Sequence, residues 1–295
     1  AFSSSSEQHL KRQPLKTYYL SICTCTLVAP LRRISYLMQT QQYNLSKGVL
    51  NTKYTGIANC FKTTIANEGF FSLWRGNAAE ALLASLNLFF SIELGLVLYN
   101  KVISKLYKDT HNTQDLKENA QGLSNLLVHI MIWPIEYLGL RRACDLKSSP
   151  DSTRKFGGYY NIYRITNDMD GMRGFFRGML ISGVGVIFAM MTMTLYYMRV
   201  IQGSAHDIQG KYNPNTDLKG QLLCVLALYP FYTIKNIMLL SSTQDRFNST
   251  YEVLKYLVKR KGVFKATGGL LNGCMMCSTH TLISVYSEYI VLPRI

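Results

Sequence analysis

The sequence predicts an all-α membrane protein with six transmembrane helices in three repeats of about a hundred residues. Three observations predict it. Only 17% of the 295 residues are charged, against about a quarter in average soluble chains. Long apolar runs recur, among them "LLASLNLFFSIELGLVLY" (82–99) and "MLISGVGVIFAMMTMTLYYM" (179–198); the second carries no charge over the roughly 20 residues a helix needs to cross a bilayer. Finally, "EGFFSLWRGN" (68–77) and "DGMRGFFRGM" (170–179) repeat one pattern of acid, glycine, four residues, aromatic, arginine, glycine. Pro30, Pro134 and Pro230 recur in similar settings, 104 and 96 residues apart.

Residues 1–16 form a Ser-rich, basic tail without the apolar core of a secretory signal. Repeat 1 covers 17–110, repeat 2 covers 111–209 and repeat 3 covers 210–295, the most degenerate; together they make one domain. Each repeat consists of an apolar helix with a proline near its end, a polar connection, a short amphipathic stretch and a second apolar helix. The spans fall at 17–39, 77–100, 119–142, 179–201, 219–240 and 270–291. In repeat 3 the acid-glycine string has become "KGVFKATGG" (261–269), losing acid, aromatic and arginine. A proline in a lipid-embedded helix is tolerated where neighbours satisfy the freed carbonyl. Three prolines at equivalent points predict three kinks around a pseudo-three-fold axis. Segments 40–76, 143–178 and 241–269 hold 16 Lys and Arg, whereas 101–118 and 202–218 hold five. Basic loops stay on the side of insertion, which puts the long loops on one face and both termini on the other.

The net charge of +15 suits an acidic membrane surface or an anionic ligand. Aromatic and basic residues do not interleave as in a nucleic-acid-binding motif, so no nucleic-acid partner is expected. Of the seven cysteines, Cys274 and Cys277 have metal-ligand spacing. No second pair matches them and His280 stands alone, so they read as small buried hydrophobes rather than a metal site. The five histidines form no ligand pattern. With no phosphate loop and no nucleophile beside a base, an enzyme is not expected.

At the proline and acid-glycine positions the chain resembles the mitochondrial carrier family, and its ADP/ATP branch in particular through "YTGIANCFKTTIANEGFFSLWRGN" (54–77). The family signature is Pro-x-acid-x-x-base, a long loop, then acid-Gly-x4-aromatic-base-Gly, three times over. The resemblance runs from about 17 to 291 and implies the mitochondrial inner membrane, with both termini on the intermembrane-space side. A glycine after arginine leaves N–H groups open at a helix start, which favours an anion; in the family this place holds cardiolipin. The resemblance therefore implies a lipid site where Trp74, Arg75 and Gly76 meet Phe156, Gly157 and Gly158. Half-sites follow at Phe176, Arg177 and Gly178 facing 247–249, and at Thr267, Gly268 and Gly269 facing Tyr54 and Gly56. The alternative is a set of helix caps and aromatic anchors without lipid. Bound cardiolipin is expected, and no other cofactor.

The resemblance also shows what has been lost. The family's matrix gate joins each repeat's acid to the next repeat's base. Those positions here are Arg32 and Ser35, Glu136 and Gly139, and Tyr232 and Lys235, so one bridge, Glu136 with Lys235, is expected. Gln39 stands in place of the bracing glutamine. The opposite gate is missing as a charge network, with Glu288 its one acid. The adenine-nucleotide contact positions are Cys25, Leu83, Met190 and Met276, all uncharged, although Gly185 keeps the pocket glycine. Among intramembrane ionisable groups, Glu80 and Glu93 stand out. Two readings follow. One is a carrier fold without nucleotide transport, serving as a membrane subunit of a respiratory-chain complex, with repeat 3 (Lys261, Thr267, Gly268) as its partner surface. The other is an active carrier of a non-nucleotide solute.

Overall fold

The computed structural model describes residues 3–98, 113–147, 149–203, 214–241, 247 and 249–259. Among them every regular element is helical and there is no strand. The helices are α1 (Ser3–Ser46), α2 (Ile57–Glu68), α3 (Asn77–Leu98), α4 (Thr113–Ala143), α5 (Tyr159–Asp170), α6 (Met179–Gly203), α7 (Pro214–Leu240) and α8 (Thr250–Lys259). Short 3₁₀ turns, Phe70–Trp74 and Gly171–Phe176, lead into α3 and α6.

Five of the segments expected as spans fall on helices α1, α3, α4, α6 and α7; the sixth, 270–291, lies outside the described residues. α1 begins at Ser3, so residues 3–16 of the segment read as a tail are helical. Pro134 and Pro230 lie inside continuous α4 and α7, as Pro30 does inside α1. Met172–Tyr196 is long and apolar enough to cross a membrane, with a mean hydropathy of 1.9.

The short helices α2 and α5 are built alike. Cys60 and Thr64 are buried one turn apart on α2, as Ile162 and Thr166 are on α5, the spacing of a one-sided amphipathic helix. Each ends at a glycine in the left-handed region, Gly69 and Gly171, whose N–H closes the last turn on Ile65 and Asn167. The acid-glycine string is therefore first of all a helix C-cap.

Three apolar clusters form where the proline helices end. Ile34 and Leu37 of α1 pack with Tyr54, Cys60 and Leu73, and with Leu146 from repeat 2. Trp133, Tyr137 and Leu140 of α4 pack with Phe156, Ile162 and Phe175, and with Leu239 from repeat 3. Ile234 and Ile237 of α7 pack with Val253, and with Tyr43 from repeat 1. Among its buried residues each cluster thus takes one from the next repeat, in cyclic order. The proline helices α1, α4 and α7 contact one another pairwise.

Candidate functional site: the repeat junctions

The end of α2 is built around Glu68. Its carboxylate accepts from Arg33 at 2.7 Å, from Arg154 at 3.0 Å and from the Lys147 amide at 3.0 Å. Arg33 also donates to the carbonyls of Ala143 and Ser72. The acid of the repeated string therefore clamps α1 of repeat 1 to the loop after α4. The sequence reading singled out neither Arg33 nor Arg154.

The next residues place Trp74, Arg75 and Gly76 against Phe156, Gly157 and Gly158. Trp74 donates its indole N–H to Thr26 O at 2.8 Å. Arg75 donates to Phe156 O at 2.9 Å, to Arg142 O at 3.1 Å and to Asp145 Oδ2 at 2.5 Å. Tyr159, the first residue of α5, turns its hydroxyl back to accept from the Ala79 N–H at the start of α3, at 3.2 Å. The Arg142 guanidinium lies over the Tyr159 ring at 4.4 Å. Two helix starts and two arginines thus meet at one point, with a buried carboxylate between them. Burial and the neighbouring Arg154 lower the Arg75 pKa, while burial raises that of Asp145 against the pull of Arg75.

The second junction is looser. Arg177 Nε lies 4.0 Å from Asp170, and the Arg177 carbonyl accepts from Trp133 at 3.3 Å. Gly178 is left-handed (φ +74) and faces Lys235 and Leu239 of α7. Phe176 is partly exposed, and the Phe247 ring meets those of Tyr43 and Tyr256 in tilted contacts. Tyr54 is buried beside Cys60, and Gly56 is extended ahead of α2. Their expected partners, Thr267, Gly268 and Gly269, lie outside the described residues, as do Lys261, Glu288 and the Cys274/Cys277 pair.

At the gate positions the structure brings together Lys235 and Glu136, at 2.5 Å. The ammonium also faces the rings of Tyr232 at 4.4 Å and Trp133 at 5.8 Å, a cation–π cage. Gln39 accepts from Asn236 in a short bond and donates to Ser35 at 3.3 Å. Arg32, of reversed sign, pairs with Glu80 of α3 at 3.1 Å, and Tyr36 donates to the same carboxylate at 2.9 Å. Gly139 stands where a base is expected, and the reason is steric. A Cβ built on it would lie 2.9 Å from the Cβ of Ala79. The starts of α3 and the end of α4 meet along Gly76, Ala79, Gly139 and Ala143, small residues that let helix backbones approach closely.

Of the contact positions expected from the nucleotide carriers, Cys25, Leu83 and Met190 lie among the described residues. Cys25 Sγ accepts from Arg32 at 3.9 Å. Leu83 is buried with Val128 and Ile132 between α3 and α4, and Met190 is 63% exposed on α6. Met276 lies outside the described residues, and the side chain of Glu93 is not described. Gly185 packs on Phe231, where an added Cβ would lie 2.7 Å from the ring's own Cβ. Close helix contact accounts for it. No group of three metal-ligating side chains occurs among the described residues.

Cys60 and Cys144 sit at these junctions. Burial pushes both thiols up to about 12, against about 8.5 for a free thiol. At pH 8 maleimide labelling of either is expected to run about a thousandfold slower than for free cysteine, accelerating about tenfold per pH unit. The folded chain holds these protons more tightly than the unfolded one, so alkali between about pH 8.5 and 12 lowers stability. Peptide mass spectrometry of labelled protein reads the rates, and labelling at pH 8 as fast as in detergent-unfolded chain would contradict the burial.

Among the described residues, long helices joined by short amphipathic helices at clasped junctions define an all-helical protein, with one helix long and apolar enough to cross a membrane. A family model described as mitochondrial carrier protein matches residues 20–104. The chain is 29% identical to ADP,ATP carrier protein 1 of Saccharomyces cerevisiae over 84% of its length and 81% of the relative's. It is 28% identical to the ADP,ATP carrier protein of Kluyveromyces lactis over 90% of each. It is 31% identical to ADP,ATP carrier protein 2, mitochondrial, of Zea mays over 82% of this chain and 65% of that protein. The chain belongs to the mitochondrial carrier family and within it resembles the ADP/ATP carriers. Its setting is accordingly the lipid of the mitochondrial inner membrane.

Proposed function

We propose that the chain is a three-repeat, six-span carrier fold that has given up nucleotide transport and serves as a membrane subunit of a respiratory-chain complex. Its three repeats follow the boundaries 17–110, 111–209 and 210–295, and both termini face the intermembrane space. The cyclic exchange of Leu146, Leu239 and Tyr43 among the three clusters supports the three-fold arrangement. The observation that carries the functional reading is the seam at Gly139. The first and second repeats, which a gate would hold by a breakable ion pair, are instead in backbone-close contact through Gly76, Ala79, Gly139 and Ala143. Arg32, the other half of that pair, is turned aside to Glu80.

The contact positions support the same reading. The relatives are by name carriers of ADP and ATP. Moving a polyphosphate out of water costs about several kcal/mol per charge unless fixed cations offset it. Cys25, Leu83, Met190 and Met276 supply none. Cardiolipin binds in this reading at the starts of α3 and α5, between Trp74, Arg75 and Gly76 and Phe156, Gly157 and Gly158. Weaker sites lie at Phe176, Arg177 and Gly178, and beside Tyr54 and Gly56. Glu136 with Lys235, braced by Gln39, is a fixed tie between repeats.

Solubilisation in mild detergent followed by native-gel separation tests the assignment. The band carrying this chain is expected to co-migrate with a respiratory assembly and to survive added salt. Migration near 33.5 kDa plus bound detergent, with solute uptake by reconstituted liposomes, would establish instead a carrier of a non-nucleotide solute.

A further inference from the structure

The outward faces of the short helices differ where the repeats should match. Set on their buried pairs, Cys60 and Thr64 of α2 and Ile162 and Thr166 of α5, the two helices align residue by residue. Ile65 and Ala66 of α2 then correspond to Asn167 and Asp168 of α5, all four exposed. In the turns that follow, Phe70 and Phe71 correspond to Met172 and Arg173, exposed as well. Nearer the helix starts Ala58 corresponds to Tyr160 and Lys62 to Arg164. From Ile65 onward the outside of repeat 1 is thus apolar, with Phe71 87% exposed. The outside of α5 mixes large rings with amide and charge. Tyr160 is 73% exposed, and Arg164 pairs at the surface with Asp168 at 3.7 Å. Tyr163 is stacked on Phe175 at 5.4 Å and keeps nearly half of its own surface open.

We infer that the outer face of α5, with the turn after it, is a protein-docking surface whose occupant is an acidic, amphipathic segment of a neighbouring membrane subunit. The inference rests on the subunit reading proposed above and adds the place and the chemistry of the contact. Helices related by a pseudo-three-fold axis lie at one depth, so lipid covering both would ask the same of both outward faces. A membrane interface suits Ile65, Phe70 and Phe71. It does not suit Asn167 and Asp168, whose amide and carboxylate would lose water without gaining partners. Tyrosine, methionine and arginine with a polar rim are what protein interfaces gather. Arg164 and Arg173 outnumber Asp168 on this face, and the whole chain carries +15. An acidic neighbour is therefore attracted and a second copy of this chain repelled. Tyr163, already fixed on Phe175, loses little freedom when it is covered. The inner face is held separately, by buried Ile162 and by the Tyr137–Thr166 hydrogen bond at 2.9 Å, so outward substitutions leave the helix in place.

The test uses the full chain in its own membranes. A benzophenone-bearing phenylalanine placed at Tyr160, or for comparison at Phe71, is photolysed before detergent is added, and mass spectrometry identifies the adducts. Tyr160 is expected to yield a peptide of another protein, rich in Asp and Glu, and Phe71 to yield phospholipid. No protein adduct at Tyr160, a peptide of this same chain, or a partner peptide without acidic residues would each overturn the inference. Charge reversal checks the chemistry. Arg173→Glu and Tyr160→Ala are each expected to lower the share of the chain that co-migrates with the assembly on native gels about tenfold. Lys62→Glu, at the place on α2 that Arg164 holds on α5, should change that share by less than about twofold. Equal losses from Lys62→Glu and Arg173→Glu would make the effect one of net charge and overturn the docking site. If the unchanged chain runs alone on the gel, the subunit reading fails, and the Tyr160 adducts formed in intact membranes still decide whether protein or lipid covers α5.

Discussion

Replacing Glu68 with alanine is expected to lower stability by about 3–5 kcal/mol, the cost of stranding a buried charge. The Glu68 side chain is fully buried, Arg33 is 1% exposed and Arg154 is 20% exposed. Without the carboxylate, Arg33 keeps its bonds to Ala143 O and Ser72 O but loses its counter-charge. The Lys147 amide loses its acceptor as well. Because this one side chain ties α1, the 3₁₀ turn and the loop after α4 together, the loss spans repeats 1 and 2. Glu68→Gln keeps an acceptor for Lys147 and should fall between alanine and the unchanged chain. Thermal unfolding in detergent measures both. A loss under about 1 kcal/mol, the level of an exposed ion pair, would mean that water reaches the cluster.

The helical layout was legible in the sequence because it rests on local signals. Apolar runs of spanning length set α3 and α6, and the acid-glycine pairs at Glu68–Gly69 and Asp170–Gly171 mark the ends of α2 and α5. The pairing of Glu136 with Lys235 was legible through the proline register. What the sequence could not display is where a lost partner has been replaced from another helix. Arg32 reads as a broken gate until α3 brings Glu80 beside it. Gly139 reads as a missing base until Ala79 is seen to occupy the space that base would need. Asp145, a lone acid after an apolar helix, carries no motif, and its meaning comes from the Lys155 and Phe156 amides ten residues on. The helical character of residues 3–16 was illegible for a simpler reason. A polar, Ser-rich segment gives no apolar periodicity from which to read a helix.

Gly76→Ala is expected to cost about 3 kcal/mol, summing about 1–2 for a side chain in the left-handed region and about 1–3 for overpacking. Gly76 has φ +93, and its added Cβ would lie 2.9 Å from both Ala143 Cβ and Gly139 O. Neither neighbour is the end of a flexible chain, so α3 and α4 have to part. Gly178 is the internal control, since it occupies the same place in repeat 2 with φ +74. Its added Cβ would meet Lys235 Cγ at 3.4 Å, an ordinary contact with a side chain that can shift. Gly178→Ala should therefore show the backbone cost alone, about 1–2 kcal/mol. The difference between the two unfolding curves isolates the seam from the glycine conformation. Equal losses would mean that α3 and α4 separate readily, as transport by a rocking repeat requires, and would count against a fixed membrane subunit. A larger loss at Gly76 would make the seam a permanent contact, and a base returned to position 139 would then find no room to form a gate.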